Sequence, residues 1–132
     1  MIHPTWATVR LFLHVLAATV WVGGQLSLAG LLPAVRSLGP DAPRVLARRF
    51  NRFAWPAYGV LWMTGVWNIA ALDVTFPSAL ATTVMVKVLV VAVSGLAAFA
   101  HSVTRSKMAL AAFGALSGLS ALVALFLGTL IH

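Results

Sequence analysis

Apolar residues fall into four long runs that are separated by short polar segments. The runs cover about residues 7–32, 53–72, 80–103 and 108–131. Each reaches the roughly 20 residues with which a helix crosses about 30 Å of hydrocarbon. The pattern therefore predicts a single all-α domain, residues 1–132, built as a four-transmembrane-helix bundle. No basic segment precedes the first run, so we expect a retained helix and not a cleaved signal peptide.

Composition supports a membrane protein and removes several kinds of chemistry. The chain is 61% hydrophobic and 8% charged, with a mean hydropathy of +1.00, which lies outside the range of soluble domains. We expect a multi-pass protein of a cell membrane, the inner membrane in a bacterium. Because the chain has no cysteine, disulfides and covalent haem attachment are excluded. The two acidic residues, Asp41 and Asp73, both fall in predicted loops, so no carboxylate pair is expected within the membrane.

Basic residues concentrate in two of the three predicted loops. By the positive-inside rule these loops are cytoplasmic, which places both termini outside the cytoplasm. Residues 41–53 are also predicted to form a short basic helix on anionic headgroups, although the charge also fits a topology signal alone. No soluble domain is predicted that would bind nucleic acid. The basic loop residues are Arg36, Arg44, Arg48, Arg49, Arg52, Arg105 and Lys107.

Polar and aromatic residues recur on one face of the first predicted helix. Arg10, His14, Trp21 and Gln25 are spaced by 4, 7 and 4 residues, which keeps them within about 60° of one another in an α-helix. An ionisable side chain facing lipid costs at least about 2.5 kcal/mol. We therefore expect this stripe to turn towards another helix.

A second stripe lies on the third predicted helix, where Lys87, Ser94 and His101 recur every seven residues. Counted from the outer boundary, His14 is about 12 Å deep and Lys87 about 10 Å deep. The pattern thus predicts that these two residues share a pocket. Thr64 and Asn68 fall in the outer half of the second helix and are expected to complete it. His101 is expected at the hydrated inner boundary, in a structural role.

Three segments carry a resemblance to a known family. They are LHVLAATVWVGG, which begins at Leu13, RRFNRFAWPAYGVLWMTGVWNI, which begins at Arg48, and VMVKVLVVAVSGLAAFAH, which begins at Val84. Together they resemble the first three helices of the copper-resistance protein D (CopD) family. The pattern of His14, Trp21, Gly24 and Lys87 is also similar to the related HemJ-type protoporphyrinogen oxidases, in which a histidine and a lysine serve b-type haem. Pro33 follows Trp21 by twelve positions, which resembles the CopD-like proteins more than the oxidases.

The first hypothesis that follows is a membrane protein that binds b-type haem in its outer half. The resemblance implies His14 as an axial ligand and Lys87 as a second ligand or a partner of a haem propionate. A porphyrin also needs an apolar slot between helices. The residues expected to line that slot are Trp21, Thr64, Asn68, Gly23, Gly24 and Gly95. The role would be electron transfer or porphyrinogen oxidation.

Two further hypotheses remain open. Copper handling, which the CopD resemblance implies, would use imidazole and thioether ligands, with His14, Met63 and Met85 as candidates. The start Met1-Ile2-His3 adds an amino-terminal motif that suits Cu(II). A non-catalytic accessory subunit is the third possibility. Its fourth helix carries a small-residue motif from Gly114 to Gly118, typical of close packing within a bundle or of a homodimer.

Overall fold

The computed structural model describes residues 3–131, all of whose regular secondary structure is helical. The elements are α1 (Trp6–Ala18), a π-helical turn (Thr19–Gly23), α2 (Gly24–Ser37), α3 (Ala42–Ala70), α4 (Ala79–Val103) and α5 (Lys107–Thr129). The chain divides into two compact units, Met1–Leu72 and Asp73–His132. The single four-helix domain stays a prediction.

Three helical segments within residues 3–131 are long and apolar enough to cross a membrane. They are Trp6–Ser37, which contains the π-helical turn, Ala79–Val103 and Lys107–Thr129. The all-helical prediction is thereby confirmed, and the three segments indicate a membrane protein. The helix α3 is not among them, because it begins with an arginine-rich segment and its later part includes Trp55, Pro56 and Asn68.

Polar caps at three helix starts explain where the helices begin. Thr5 caps α1 through a reciprocal pair of contacts with Thr8. The hydroxyl of Ser78 accepts from the backbone N–H of Ala81 at 3.0 Å at the start of α4. Ser106 accepts from the N–H of Ala109 at 3.4 Å at the start of α5. Each cap satisfies a backbone donor that has no partner within its helix.

Two predicted boundaries are wrong. The first helical run does not stop near residue 32 but continues through Pro33 to Ser37. The basic segment 41–53 is not a separate short helix, since α3 runs without interruption from Ala42 to Ala70. Its 29 residues extend over about 43 Å. The arginines therefore belong to the same rigid helix as Thr64 and Asn68.

In the first unit, α1 packs antiparallel to α3. Arg10 meets Asn68, His14 meets Thr64 and, beyond the π-helical turn, Gly24 meets Phe50. In the second unit, α4 and α5 form an antiparallel helical hairpin, in which Lys87 lies near Gly128 and Ser94 meets Ser117. Both predicted stripes thus face a neighbouring helix of their own unit.

Candidate functional site

The side chain of His14 is held by a hydrogen bond between helices. Its Nδ1 lies 2.8 Å from the hydroxyl oxygen of Thr64. That hydroxyl lies 2.7 Å from the carbonyl oxygen of Val60, an atom that can only accept. The single hydroxyl proton is therefore directed to Val60, and Thr64 accepts from Nδ1–H of His14. This assignment makes Nε2 the ring nitrogen that carries the lone pair, and a lone pair is what a metal ligand needs.

The surroundings of the His14 ring combine a buried partner with a small neighbour. Thr64 is 4% exposed, so little water reaches the hydroxyl that orients the ring. Gly65 is the next residue, and a Cβ placed there would lie 3.5 Å from Cε1 of His14. Glycine therefore leaves the volume of a methyl group open beside the imidazole. The ring itself is half-buried.

Four residues before His14, Arg10 is also fixed against α3. Its Nε donates to Oδ1 of Asn68 at 2.6 Å. Its guanidinium carbon lies 5.7 Å from the ring centre of Trp67, close enough for a cation–π contact. A guanidinium carries five N–H donors, of which the bond to Asn68 uses one. A cation is thus positioned on the same helix face as His14, where it can bind a carboxylate.

Seven residues after His14, Trp21 lies within an aromatic cluster between the π-helical turn and α3. Trp21 is 3% exposed. Its ring centre is 4.4 Å from that of Tyr58 and 5.4 Å from that of Trp55. Trp62 extends the cluster, 6.2 Å from Tyr58. Trp55 thus contacts Trp21, whereas Trp67 contacts Arg10.

The π-helical turn interrupts the first helix at Trp21. Residues Thr19–Gly23 form it, directly after α1. Such turns are rare in proteins, but those that occur are often found at functional sites. Just beyond the turn, Gly24 approaches Phe50 so closely that a Cβ at this position would overlap the Phe50 ring. A larger residue at position 24 would therefore displace the Phe50 ring.

In the second unit, the face of α4 that carries Lys87 is packed against α5. Nζ of Lys87 lies 2.9 Å from the point where a Cβ of Gly128 would be. Gly128 is in the last turn of α5, where the partial negative charge of a helix C-terminus stabilises a cation. Gly128 thus makes room for the ammonium group of Lys87. Lys87 is therefore accommodated at the end of α5, within its own unit.

Further along the same hairpin, hydrogen bonds fix the register of the two helices. The hydroxyl of Ser94 donates to the carbonyl of Ser117 at 3.0 Å, and the hydroxyl of Ser117 donates to the carbonyl of Ser94 at 2.9 Å. Nδ1 of His101 donates to the carbonyl of Leu110 at 2.7 Å. A Cβ at Gly114 would lie 3.2 Å from the His101 ring. Gly114 therefore faces α4, while the homodimer through Gly114 and Gly118 stays a prediction.

Both methionines that were proposed for copper have exposed side chains. Met63 is 69% exposed, although its neighbour Thr64 is buried, and Met85 in the second unit is 53% exposed. Among residues 3–131, no group of three histidine, cysteine or acidic side chains is placed to hold a metal ion. His3 is exposed. The other two residues of its amino-terminal motif, Met1 and Ile2, lie outside the described residues.

Several residues that contact the predicted site residues could not be identified from the sequence alone. Gly65 and Tyr58 belong to α3 positions that the spacing argument did not single out, yet both contact the stripe of α1. Ser117 lies opposite Ser94, and Gly128 lies beside Lys87. These pairings depend on the register of the two helices, which the sequence does not show. Gln25, the last residue of the first stripe, is half-buried in α2 beyond the π-helical turn.

No protein-family model, curated protein or solved structure matches this chain.

Proposed function

We propose that the protein is a multi-pass membrane protein that binds b-type haem through Nε2 of His14. The observation that carries the proposal is the chain of two hydrogen bonds from His14 to Thr64 and from Thr64 to Val60. It makes Nδ1 the donor and Nε2 the basic nitrogen, the arrangement that proteins use to orient a metal-binding histidine. A bound haem would supply one-electron redox chemistry.

The other groups of the first unit fit an amphipathic porphyrin. Arg10 is a cation held one turn from His14, suited to the carboxylate of a propionate. Trp21 and Tyr58 supply aromatic surface on the inward side, and Gly65 adds space at the imidazole. These residues of the chain bind and orient the group. The resulting role is electron transfer or porphyrinogen oxidation, as the CopD-like and HemJ-like motifs imply.

Lys87 enters the proposal through the sequence resemblance, as a second iron ligand or a propionate partner. Its place beside Gly128 offers a structural explanation that does not need haem. The two explanations predict different results for Lys87→Met, which keeps the length of the side chain and removes its charge. A role at the haem would change the absorption spectrum or the reduction potential, whereas a structural role would lower only the stability of the hairpin.

The proposed arrangement has four spans, with the later part of α3 as the fourth and both termini outside the cytoplasm. Polar residues lower the mean hydropathy of α3, but Thr64 and Asn68 are hydrogen-bonded to α1 and need not face lipid. A bacterial inner membrane is the proposed location. Positive-inside asymmetry of the two arginine- and lysine-bearing loops supports this orientation.

Haem titration of the purified protein tests the proposal. We expect a Soret band in the wild type and its loss in His14→Gly, with recovery when free imidazole is added to the variant. His101→Ala is the matched control, since that ring is also fixed through Nδ1 but belongs to α4, in the other unit. Absence of a Soret band in haem-supplied wild type, or an unchanged spectrum in His14→Gly, would refute the ligand assignment. A colourless protein that retains copper would instead support copper handling, and one that binds neither would support an accessory subunit.

A further inference from the structure

Three arginines of α3 surround a groove at the end of the helix that precedes its apolar part. Arg48, Arg49 and Arg52, together with Val45, line a cavity of about 250 Å³. All four side chains are exposed. Their spacing of 3, 1 and 3 residues places them on one helix face. The groove is smaller than the roughly 300–1,000 Å³ of sites that enclose whole cofactors, so it suits a small anionic group.

The charge of this groove is not balanced by acidic residues of the chain. Only Asp41 and Asp73 are acidic in the whole sequence, and Asp41 precedes the helix whereas Asp73 belongs to the other unit. Like charges four residues apart on a helix, such as Arg48 and Arg52, destabilise it. A bound anion would remove that repulsion. Arginine is suited to phosphate because its planar N–H groups bind two oxygens at once.

Apolar surface continues from the groove towards the later part of α3, which is the proposed fourth span. Phe53 is 56% exposed, one residue beyond Arg52, and Val45 is 49% exposed. Phe50 packs edge-on against Phe53, with ring centres 5.4 Å apart, and so supports its orientation. An anion that carried a hydrocarbon chain would contact both the guanidinium groups and Phe53. A small hydrophilic anion would leave Phe53 in water.

We infer that this groove binds the phosphate of an anionic glycerophospholipid from the surrounding bilayer, with Arg48, Arg49 and Arg52 on the phosphate and Phe53 on the acyl chain. The site is separate from the proposed haem site at His14. Its function would be to hold α3 at a fixed depth and to make the protein prefer anionic lipid. A topology signal alone would need the positive charge but neither the groove nor the exposed phenylalanine.

Native mass spectrometry of the full-length protein in detergent tests the inference. The probes are dioleoyl phosphatidylglycerol and, as the zwitterionic reference, dioleoyl phosphatidylcholine. We expect phosphatidylglycerol to bind at least tenfold more tightly. Because one surface arginine contributes about a fivefold gain in binding to anionic lipid, the triple variant R48Q/R49Q/R52Q is expected to lose at least tenfold in affinity for phosphatidylglycerol. Its affinity for phosphatidylcholine, whose choline offsets the phosphate charge, should fall by less, and an unchanged circular dichroism spectrum reports that the variant is folded.

Matched variants separate a site from a general charge effect. R36Q/R105Q/K107Q removes the same charge elsewhere and is expected to keep the preference. R48K/R49K/R52K retains the charge and the insertion signal but is expected to weaken binding, because lysine lacks the planar pair of donors. Equal binding of the two lipids by the wild type, or equal losses in the two glutamine triples, would overturn the inference.

Competition with inorganic phosphate identifies the source of the anion. We expect millimolar phosphate to leave phosphatidylglycerol bound, and Phe53→Ala to weaken the lipid without changing the effect of phosphate. Displacement of the lipid by phosphate, together with an unchanged lipid affinity in Phe53→Ala, would mean that the groove binds free phosphate and that the lipid inference is wrong.

Discussion

Replacing Thr64 with valine removes one hydroxyl group and keeps the shape of the side chain. In the wild type this hydroxyl accepts from Nδ1–H of His14 at 2.8 Å. Since Thr64 is 4% exposed, water cannot readily take its place, and losing a buried partner costs about 1–3 kcal/mol. At about 1.4 kcal/mol for each factor of ten, that cost corresponds to an affinity loss of about five- to 150-fold. Outer partners of metal-binding histidines typically contribute about 10–100-fold.

Titration of purified Thr64→Val with haem, followed at the Soret band, measures this loss as an increase in Kd. Thr64→Ser is expected to recover most of the affinity because it restores the hydroxyl. Thr83→Val is the matched control, since the Thr83 hydroxyl donates to Ala79 within its own helix at 2.9 Å. A Kd for Thr64→Val within twofold of the wild type would show that Thr64 does not orient the His14 ring. The assignment of Nε2 as the metal-binding nitrogen would then be refuted.

Two further predictions concern the hairpin of α4 and α5. Ser94→Ala and Ser117→Ala, measured by unfolding in sodium dodecyl sulfate, should each cost about 0.6–1.7 kcal/mol, because each removes one hydroxyl that donates to the carbonyl of the other residue; unchanged stability in either variant would contradict its bond. Gly114→Ile should displace His101 and destabilise the monomer, since even a Cβ at Gly114 lies 3.2 Å from that ring. A variant that turns a dimer into monomers with unchanged unfolding would instead place Gly114 at a contact between copies.

Hydropathy predicted the existence of the helices better than their ends. The apolar runs located α4 and α5 to within two residues. The start of α3 was missed because hydropathy detects only apolar helices. Outside the hydrocarbon a helix does not need apolar side chains, and alanine and arginine are both good helix formers. For the same reason α2 continues beyond the apolar run to Ser37.

Spacing predicted which faces of the helices are polar, but not what each face would meet. Arg10, His14 and Trp21 were placed on one face, and all three contact α3. Their partners depend on the register between helices, which periodicity along one helix does not determine. Thr64 and Asn68 could be proposed because depth limited the choice. Gly65 could not, since its contribution is the absence of a side chain.

The π-helical turn is the one place in Trp6–Ser37 where a residue can be removed without changing which helix the flanking segments face. A π turn holds about one residue more than an α turn. Deleting a single residue from Thr19–Gly23 would therefore allow one continuous α-helix of the same overall direction. The residues after the deletion would keep their orientation relative to α1, because the wider turn offsets the roughly 100° that one added residue contributes in an α-helix. His14 would still face Thr64 and Gly24 would still face Phe50, whereas a deletion elsewhere in α1 or α2 would rotate one of them away from α3.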